Sequence, residues 1–241
     1  MELVGKGPGM AGSKLIKWLV AFILAIGIFV PFNRVEAAAT TGVVDVKSGL
    51  LNVRSGPGTK YKVIGTLKNK TKVTVYFIKN GWAQIKYKSK KAYVSDNYLR
   101  FYKKMSAATA EKITDRAISI QRVTWERNYT KAKIYSIMAP GFTKGFTDRY
   151  FKQQFRTAGK DKSGTPLFHV IETEIWGLAI YPIDWELDYE PKKPTITNYV
   201  KNGREYLMVS QYHVNEMRGN FISTIYFYKS GSKWLVYDHK D

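Results

Sequence analysis

The 241-residue sequence lacks cysteine altogether and contains only three histidines. Without cysteine, the chain has no thiol nucleophile, no thiolate metal ligand and no disulfide, which excludes cysteine peptidases and thiol redox enzymes. The histidines, His169, His213 and His239, show neither His-x-x-x-His nor His-x-Glu spacing, so a zinc hydrolase motif is also missing. Nucleophile-elbow, phosphate-loop and dinucleotide-binding motifs are absent as well. We therefore predict a protein that is not an enzyme and holds no metal or cofactor.

Acidic residues are scarce, with 19 Asp and Glu against 39 Lys and Arg and a net charge of +20. Residues 40–104 hold 15 Lys and Arg but only Asp45 and Asp96, whereas residues 105–241 hold 20 basic and 15 acidic residues. A polycation attracts anionic polymers and lipid head groups. We therefore expect anion binding by residues 40–104.

An uncharged apolar stretch, residues 18–32, follows Lys6, Lys14 and Lys17. This order is typical of an export signal. As a helix the stretch reaches only about 23 Å, short of the roughly 30 Å apolar core of a bilayer, and small residues suited to cleavage follow at 35–39. We predict that residues 1–39 are a signal peptide and that the protein is secreted and wall-associated, with no nucleic acid partner. The alternative is an uncleaved anchor, which would be its only link to the membrane.

Between residues 41 and 102, short runs rich in β-branched and aromatic residues predict six β-strands. The predicted strands are 42–46, 51–53, 63–67, 72–78, 82–87 and 91–94. The Asn80-Gly81 pair predicts a tight hairpin, since both residues tolerate positive φ. Strands this short bury their apolar residues by closing on themselves, so we predict a small all-β barrel at residues 40–104.

Four motifs in this region follow one another in a recognisable order: LNVRSGPG at 51–58, VIGTL at 63–67, NGWAQI at 80–85 and AYVSDNYL at 92–99. In order and spacing they resemble the bacterial SH3-like domain. That family usually has glycine before the Tyr-Val pair, where this chain has Ala92. The resemblance implies an SH3-like barrel that binds peptidoglycan or an anionic wall polymer.

Four residues form the predicted ligand groove of this barrel: Arg54, Tyr61, Trp82 and Tyr93. Trp82 has two open interpretations, stacking on a glycan or peptide, or packing in the core. Arg54 either grips a carboxylate or phosphate, or donates to carbonyl groups of its own loop.

Lysines alternate with apolar residues along the predicted strands, so they share a face turned away from the core. They are Lys60, Lys62, Lys68, Lys70, Lys72, Lys86, Lys88, Lys90 and Lys91. A solvated face and an anion-binding face both fit this pattern. We favour anion binding because the surplus of positive charge exceeds what solubility requires, and we predict Lys86, Lys88 and Lys90 as ligand contacts.

Residues 105–241 combine two predicted helices, 109–128 and 146–155, with strands that follow them. The predicted strands are 167–173, 184–189, 195–200, 205–214, 220–228 and 233–238. This order predicts an α+β domain, and with the barrel a multidomain protein. The long first helix, the junction at 139–143 and the closing strand at 234–238 resemble the nuclear transport factor 2-like cone fold, which implies a cavity but no particular function.

Carboxylates alternate with apolar residues at Asp184, Glu186, Asp188 and Glu190, so on a strand they share one face. A glycosidase requires carboxylates on both sides of a scissile bond, which one strand does not supply. A calcium site, a solvated face and an ionic contact with the lysine-rich barrel are the other interpretations.

We therefore predict a secreted, non-enzymatic cell-wall-binding protein whose C-terminal domain binds a ligand or another protein. The alternative is a cell-wall hydrolase, or a regulator of one, that the SH3-like domain targets. The interior of the C-terminal domain distinguishes the two, because an enzyme needs a pocket with convergent polar groups, whereas an interaction module fills that space with aromatic side chains.

Overall fold

Residues 39–171, 177–217 and 219–241 are described by a computed structural model. The predicted signal peptide therefore lies outside the described residues, apart from Ala39. None of the helices in the described ranges combines the length and the apolar composition that crossing a membrane requires.

The N-terminal region, residues 40–104, contains seven short strands. They are β1 (Thr40–Val44), β2 (Leu51–Arg54), β3 (Val63–Leu67), β4 (Lys72–Lys79), β5 (Trp82–Tyr87), β6 (Lys90–Ser95) and β7 (Leu99–Lys103). The six predicted strands are confirmed to within two residues at each end. The sequence does not predict β7, which follows a 3-10 turn at Asp96–Tyr98.

These strands pair antiparallel in the order β7-β1-β4-β5-β6-β2-β3 and enclose one small core. Along β1, β2, β4, β5 and β6 the core residues alternate with more exposed ones, as the period of a half-buried strand requires. They are Val44, Val46, Leu51, Val53, Val73, Val75, Ala83, Ile85, Ala92, Val94 and Leu99. Within the described residues β3 pairs with β2 alone, so the ladder is open there and closure of the barrel stays a prediction.

Among the described residues, three two-residue turns between paired strands have both residues at positive φ, the requirement of a type I′ hairpin. Asn80-Gly81 joins β4 to β5 with φ of 50° and 79°, which confirms the predicted hairpin. The β5–β6 turn uses Lys88 and Ser89 at 46° and 63°. Neither residue type favours this conformation.

The C-terminal region, residues 105–241, begins with three helices, α1 (Ala107–Val123), α2 (Lys131–Met138) and α3 (Lys144–Gln154). Each is preceded by a hydroxyl residue, Ser106, Thr130 or Thr143, whose side chain accepts a hydrogen bond from a backbone N–H three residues later. Such N-caps satisfy the donors that a helix start leaves free. Helices α1 and α3 are predicted, whereas α2 is not.

The remaining strands form two groups. The strands β8 (Tyr129–Thr130), β9 (Phe155–Lys160) and β10 (Pro166–Val170) make a small sheet in the order β8-β10-β9. The strands β11 (Thr195–Lys201), β12 (Arg204–His213), β13 (Phe221–Ser230) and β14 (Lys233–Lys240) pair as antiparallel neighbours, and Asn202-Gly203 joins the first two with φ of 51° and 70°. Helices with an antiparallel sheet confirm the α+β prediction. The cone resemblance stays a prediction.

Aromatic side chains fill the interior between these helices and the sheet. Phe142, Phe146, Tyr150 and Phe155 are buried and in contact, with successive ring centroids 5.3, 6.1 and 5.4 Å apart. They pack with aliphatic residues of β12, β13 and β14 in one buried core. The interior of this region is thus occupied by packed side chains.

The two regions share one sheet, because β7 pairs with β1 on one edge and with β11 on the other. The order of the eleven strands is β14-β13-β12-β11-β7-β1-β4-β5-β6-β2-β3. Residues 38–241 form one compact unit. The boundary at residue 104 therefore stays a prediction, and the sheet runs across it.

The prediction of a strand at 184–189 is wrong. Prolines at 182 and 191 flank this segment, and Asp184 turns it by accepting backbone N–H bonds from Asp188, Tyr189 and Glu190 at 3.1, 2.7 and 2.7 Å. Leu187 has a φ of 66°, which no strand residue adopts. The alternation of carboxylates is therefore not a shared strand face.

Candidate functional site

Trp82 separates two grooves on the N-terminal region. It is the first residue of β5, lies half-buried, and lines both a larger groove of about 690 Å³ and a smaller one of about 400 Å³. The structure places Trp82 at these grooves and not in the core, where the second interpretation placed it. An indole between two grooves is placed to contact a ligand in either.

The larger groove has both polar and apolar walls, with charged residues at intervals. Its charged residues are Asp45, Lys47, Arg54 and Lys201. Trp82 and Tyr98 supply aromatic surface, and Tyr98 is 47% exposed. Aliphatic side chains and serine, threonine and asparagine side chains make up the rest of the lining. This mixture suits an extended polar ligand that carries negative charge.

Arg54 is held by its own loop. Its Nη1 donates to the carbonyl oxygens of Thr59 and Tyr61 at 2.8 and 2.9 Å. For this nitrogen, Arg54 therefore follows the second interpretation, in which it donates to carbonyl groups of its own loop. A guanidinium has five N–H donors and is always charged. Arg54 therefore also contributes a positive charge to the wall of the larger groove.

The smaller groove is more aromatic. Pro57, Phe77, Trp82 and Tyr93 line it together with Lys79 and Asn80, and Phe77 is 45% exposed. Exposed aromatic rings beside a proline form a surface on which a planar or apolar group can stack.

Tyr61 lines neither of the two grooves in the structure. Its ring packs on Gly56, where a Cβ atom would lie only 2.4 Å from Tyr61 Cδ1. The glycine is therefore required for the fold of this loop, and Tyr61 holds the loop that carries the Arg54 acceptors. The four predicted residues therefore do not form one groove. Arg54 lines the larger groove, Tyr93 lines the smaller one, Trp82 lines both and Tyr61 lines neither.

All nine predicted lysines are exposed. Lys86, Lys88 and Lys90 lie at the β5–β6 hairpin and line neither groove. Lys86 stands opposite Lys91 in the ladder, so the hairpin carries a concentrated positive charge. The lysine patch, meaning Lys86, Lys88, Lys90 and Lys91, and the grooves are separate candidate contact surfaces.

Asp45 joins the larger groove to the C-terminal region. Its Oδ2 pairs with Arg100 Nε at 2.8 Å and with Lys201 Nζ, and the Arg100 guanidinium lies 4.5 Å from the ring centroid of Tyr199. Burial tends to raise the pKa of Asp45, but hydrogen bonds from Lys201 and Arg100 outweigh that effect and lower it. The carboxylate therefore stays charged and bound to both cations at neutral pH.

The acidic segment lines a third groove, of about 480 Å³, on the C-terminal region. Asp184, Glu186, Asp188 and Glu190 meet Glu111 and Asp115 of α1 there, together with His213. The interpretation that these carboxylates face the lysine-rich barrel is wrong. Among the described residues, the carboxylates that pair across the two regions are Asp45 and Glu205.

His213 forms a chain of hydrogen bonds that resembles a catalytic triad. Its Nδ1 lies 2.7 Å from Glu190 Oε1 and its Nε2 lies 2.6 Å from Ser223 Oγ. In a triad hydrolase the serine faces the substrate and the carboxylate lies behind. Here Ser223 is fully buried, whereas Glu190 and His213 line the groove. This orientation fits an anchor that ties the acidic segment to β12 and β13.

In a chain without cysteine, histidines and carboxylates are the side chains that could hold a metal ion. In the part of the chain that the structure describes, no group of three or more such side chains is placed to hold a metal ion.

Comparison with known proteins gives two findings. Residues 48–100 match the family model of the bacterial SH3 domain, so the N-terminal region contains such a domain. A protein of Bacillus subtilis (strain 168), "Uncharacterized protein YfhK", is 40% identical over 70 residues, which are 29% of this chain and 38% of that protein. The chain thus matches less than half the length of this relative. The SH3-like resemblance is confirmed.

Two features of the site escape analysis of the sequence. Lys201 reaches the larger groove from β11, 156 residues after Asp45. The chain of Ser223, His213 and Glu190 also joins distant residues, and its members occupy no known motif. Both depend on strand pairing, which a single sequence does not specify.

Proposed function

We propose that this protein acts outside the cytoplasmic membrane as a non-enzymatic binder of the cell wall, and that its bacterial SH3 domain binds peptidoglycan or an anionic wall polymer. The observation that carries the proposal is the position of Trp82 between two open grooves of a bacterial SH3 domain. Domains of this family commonly bind the cell wall.

Charge supports the same ligand class. Residues 40–104 carry 15 Lys and Arg against two acidic residues, and the lysine patch is exposed. Each exposed contact with an anionic polymer is weak, but several together attract and retain a polyanion. We propose that charge supplies the larger share of the affinity and the grooves the smaller share.

Sedimentation with purified wall sacculi tests the proposal. We expect binding that falls steeply between about 50 and about 500 mM NaCl, because screening shortens the reach of exposed charges. A Lys86→Gln/Lys88→Gln/Lys90→Gln variant should bind roughly tenfold more weakly. The matched control is Lys160→Gln/Lys162→Gln/Lys193→Gln, which removes three exposed lysines from the C-terminal region.

Substitution of Trp82 separates charge from stacking. We expect Trp82→Ala to weaken binding by about three- to tenfold and Trp82→Phe to retain most of it. Salt-independent binding that the lysine changes leave intact would assign the affinity to the grooves. Absence of sacculus binding at low salt would refute the proposed function.

The non-enzymatic part of the proposal rests on the C-terminal region. Its interior is filled by aromatic side chains, and the serine of the Ser223–His213–Glu190 chain is buried behind the histidine. The alternative, a wall hydrolase, draws on that same chain. Release of dye from labelled peptidoglycan, abolished by Ser223→Ala, would establish the alternative, and we expect no release.

A further inference from the structure

We propose that Lys201 of the C-terminal region belongs to the ligand site of the bacterial SH3 domain and binds an oxyanion of the wall ligand. The oxyanion is a carboxylate of a wall peptide or a phosphate of a wall polymer. This inference rests on the proposed function and names the residue from outside the SH3 domain that completes its larger groove.

Backbone pairing fixes the position of Lys201. The register between β7 and β11 matches Tyr102 with Tyr199 and Phe101 with Val200, and Lys201 is the next residue. Strand β11 also contacts the 3-10 turn at Asp96–Tyr98. Tyr98 of this turn lines the groove. The C-terminal region therefore presents this ammonium group at the groove from a rigid strand.

The charges of the larger groove favour an anion. Lys47, Arg54 and Lys201 line it with Asp45 as the single acidic residue, and Asp45 is shared between Lys201 and Arg100. One carboxylate therefore balances only part of the positive charge. An ammonium group has three donors, and Asp45 engages one of them, so Lys201 retains donors for a ligand.

Neighbouring residues define the rest of the ligand. Trp82 and Tyr98 offer aromatic surface, and Leu50, on the same groove, is 52% exposed. A ligand that places an oxyanion at Lys201 therefore meets apolar and aromatic surface beside it. Peptides with free carboxylates and sugar phosphate polymers both have this character.

A purely structural role for the Asp45–Lys201 pair predicts different results from a ligand-binding role. If the pair only joins the regions, Asp45→Asn and Lys201→Gln both lower stability and leave binding by the folded protein unchanged. If Lys201 binds the ligand, the two substitutions act in opposite directions, since Asp45→Asn frees positive charge in the groove and Lys201→Gln removes it.

The experiment measures sacculus binding of the full chain at low salt, at a temperature where circular dichroism shows every variant to be folded. We expect Lys201→Gln to weaken binding about fivefold, Lys201→Arg to restore it, and Asp45→Asn to strengthen it about twofold. The matched control is Lys229→Gln, which removes an equal charge from an ion pair with Glu205 elsewhere on the C-terminal region.

The outcomes separate this inference from the proposed function. No binding by the wild-type protein refutes the proposed function itself. Wild-type binding with equal effects of Lys201→Gln and Lys229→Gln, or weaker binding by Asp45→Asn, overturns the role of Lys201. Sacculi stripped of anionic polymers assign the source: an effect of Lys201→Gln that persists there identifies a peptide carboxylate, and one that appears only on intact sacculi identifies a polymer phosphate.

Discussion

The N-terminal and C-terminal regions use their aromatic residues in opposite ways. The N-terminal core consists of Val, Leu, Ile and Ala, whereas Tyr61, Tyr76, Phe77 and Tyr98 remain exposed. The C-terminal core buries Phe142, Phe146, Tyr150, Phe155 and Phe227. Burial of an aromatic ring stabilises a fold strongly, so rings left outside give up that contribution. The N-terminal region therefore exposes aromatic surface, whereas the C-terminal region uses aromatic rings to build its core.

The largest test of this comparison removes one aromatic ring from the C-terminal core. We expect Phe146→Ala to lower the free energy of unfolding by about 3–5 kcal/mol, because the side chain is fully buried between other rings. Native-state hydrogen exchange measures the loss in each region separately. The shared sheet predicts that β1 and β7 lose protection too, and unchanged protection in β1 and β7 would show that the regions unfold independently.

The next test uses pH, since all three histidines lie in the C-terminal region. Burial lowers the pKa of His239 to about 4, and the residue is 3% exposed. A lowered histidine pKa means that the unfolded state binds the proton more tightly, so stability is full above about pH 6.5 and falls as the pH drops toward 4.

The lowered pKa of His239 corresponds to a decrease of about 3 kcal/mol in the free energy of unfolding between these two pH values. Urea unfolding at a series of pH values measures how steeply the free energy of unfolding changes with pH. We expect His239→Gln to reduce this slope. A slope that His239→Gln leaves unaltered would assign the titration to another group.

A smaller effect is expected at the junction of the two regions. Asp45→Asn should destabilise the protein by roughly 1 kcal/mol at pH 7, because the ion pairs it breaks are about one-quarter exposed. Since the pKa of Asp45 is lowered, its contribution is present above about pH 4 and is lost as the pH falls through the folded-state value. Thermal melts of both proteins should therefore converge in acid, and a constant difference would contradict the ionic explanation.

The smallest test exchanges residues between two turns of the same type. Ser89 in the N-terminal region and Gly203 in the C-terminal region both occupy the second central position, at φ of 63° and 70°. We expect Ser89→Gly to stabilise the protein and Gly203→Ser to destabilise it, each by about 0.5–1 kcal/mol. Chemical denaturation measures both. If both substitutions changed stability in the same direction, contacts outside the turns would decide the effect.

Sequence patterns predicted most of the N-terminal fold because its strands are short, alternate regularly and end in turns such as Asn80-Gly81. They failed where a local hydrogen bond outweighed the pattern, as with Asp184, whose carboxylate folds an alternating segment into turns. Helix α2 was not predicted, since eight residues give too little periodicity.

Prediction of the site was limited in the same way. The motif around Trp82 identified a ligand-contact candidate, and the structure places it between two grooves. The sequence did not indicate that the Tyr61 ring lies against Gly56 or that Lys201 lines the groove. These arrangements follow from loop packing and from the β7–β11 register, which join residues far apart in the chain.

Strand β7 has a mechanical consequence. It is hydrogen-bonded along both edges, to β1 and to β11, so no flexible tether separates the two regions. If the SH3 domain is attached to the wall, a pulling force on the C-terminal region acts on the chain at β7, where the backbone hydrogen bonds to β1 and β11 resist separation of the regions. The C-terminal region would then keep a fixed orientation relative to the attachment point. The length of the shared sheet would set its distance from the wall.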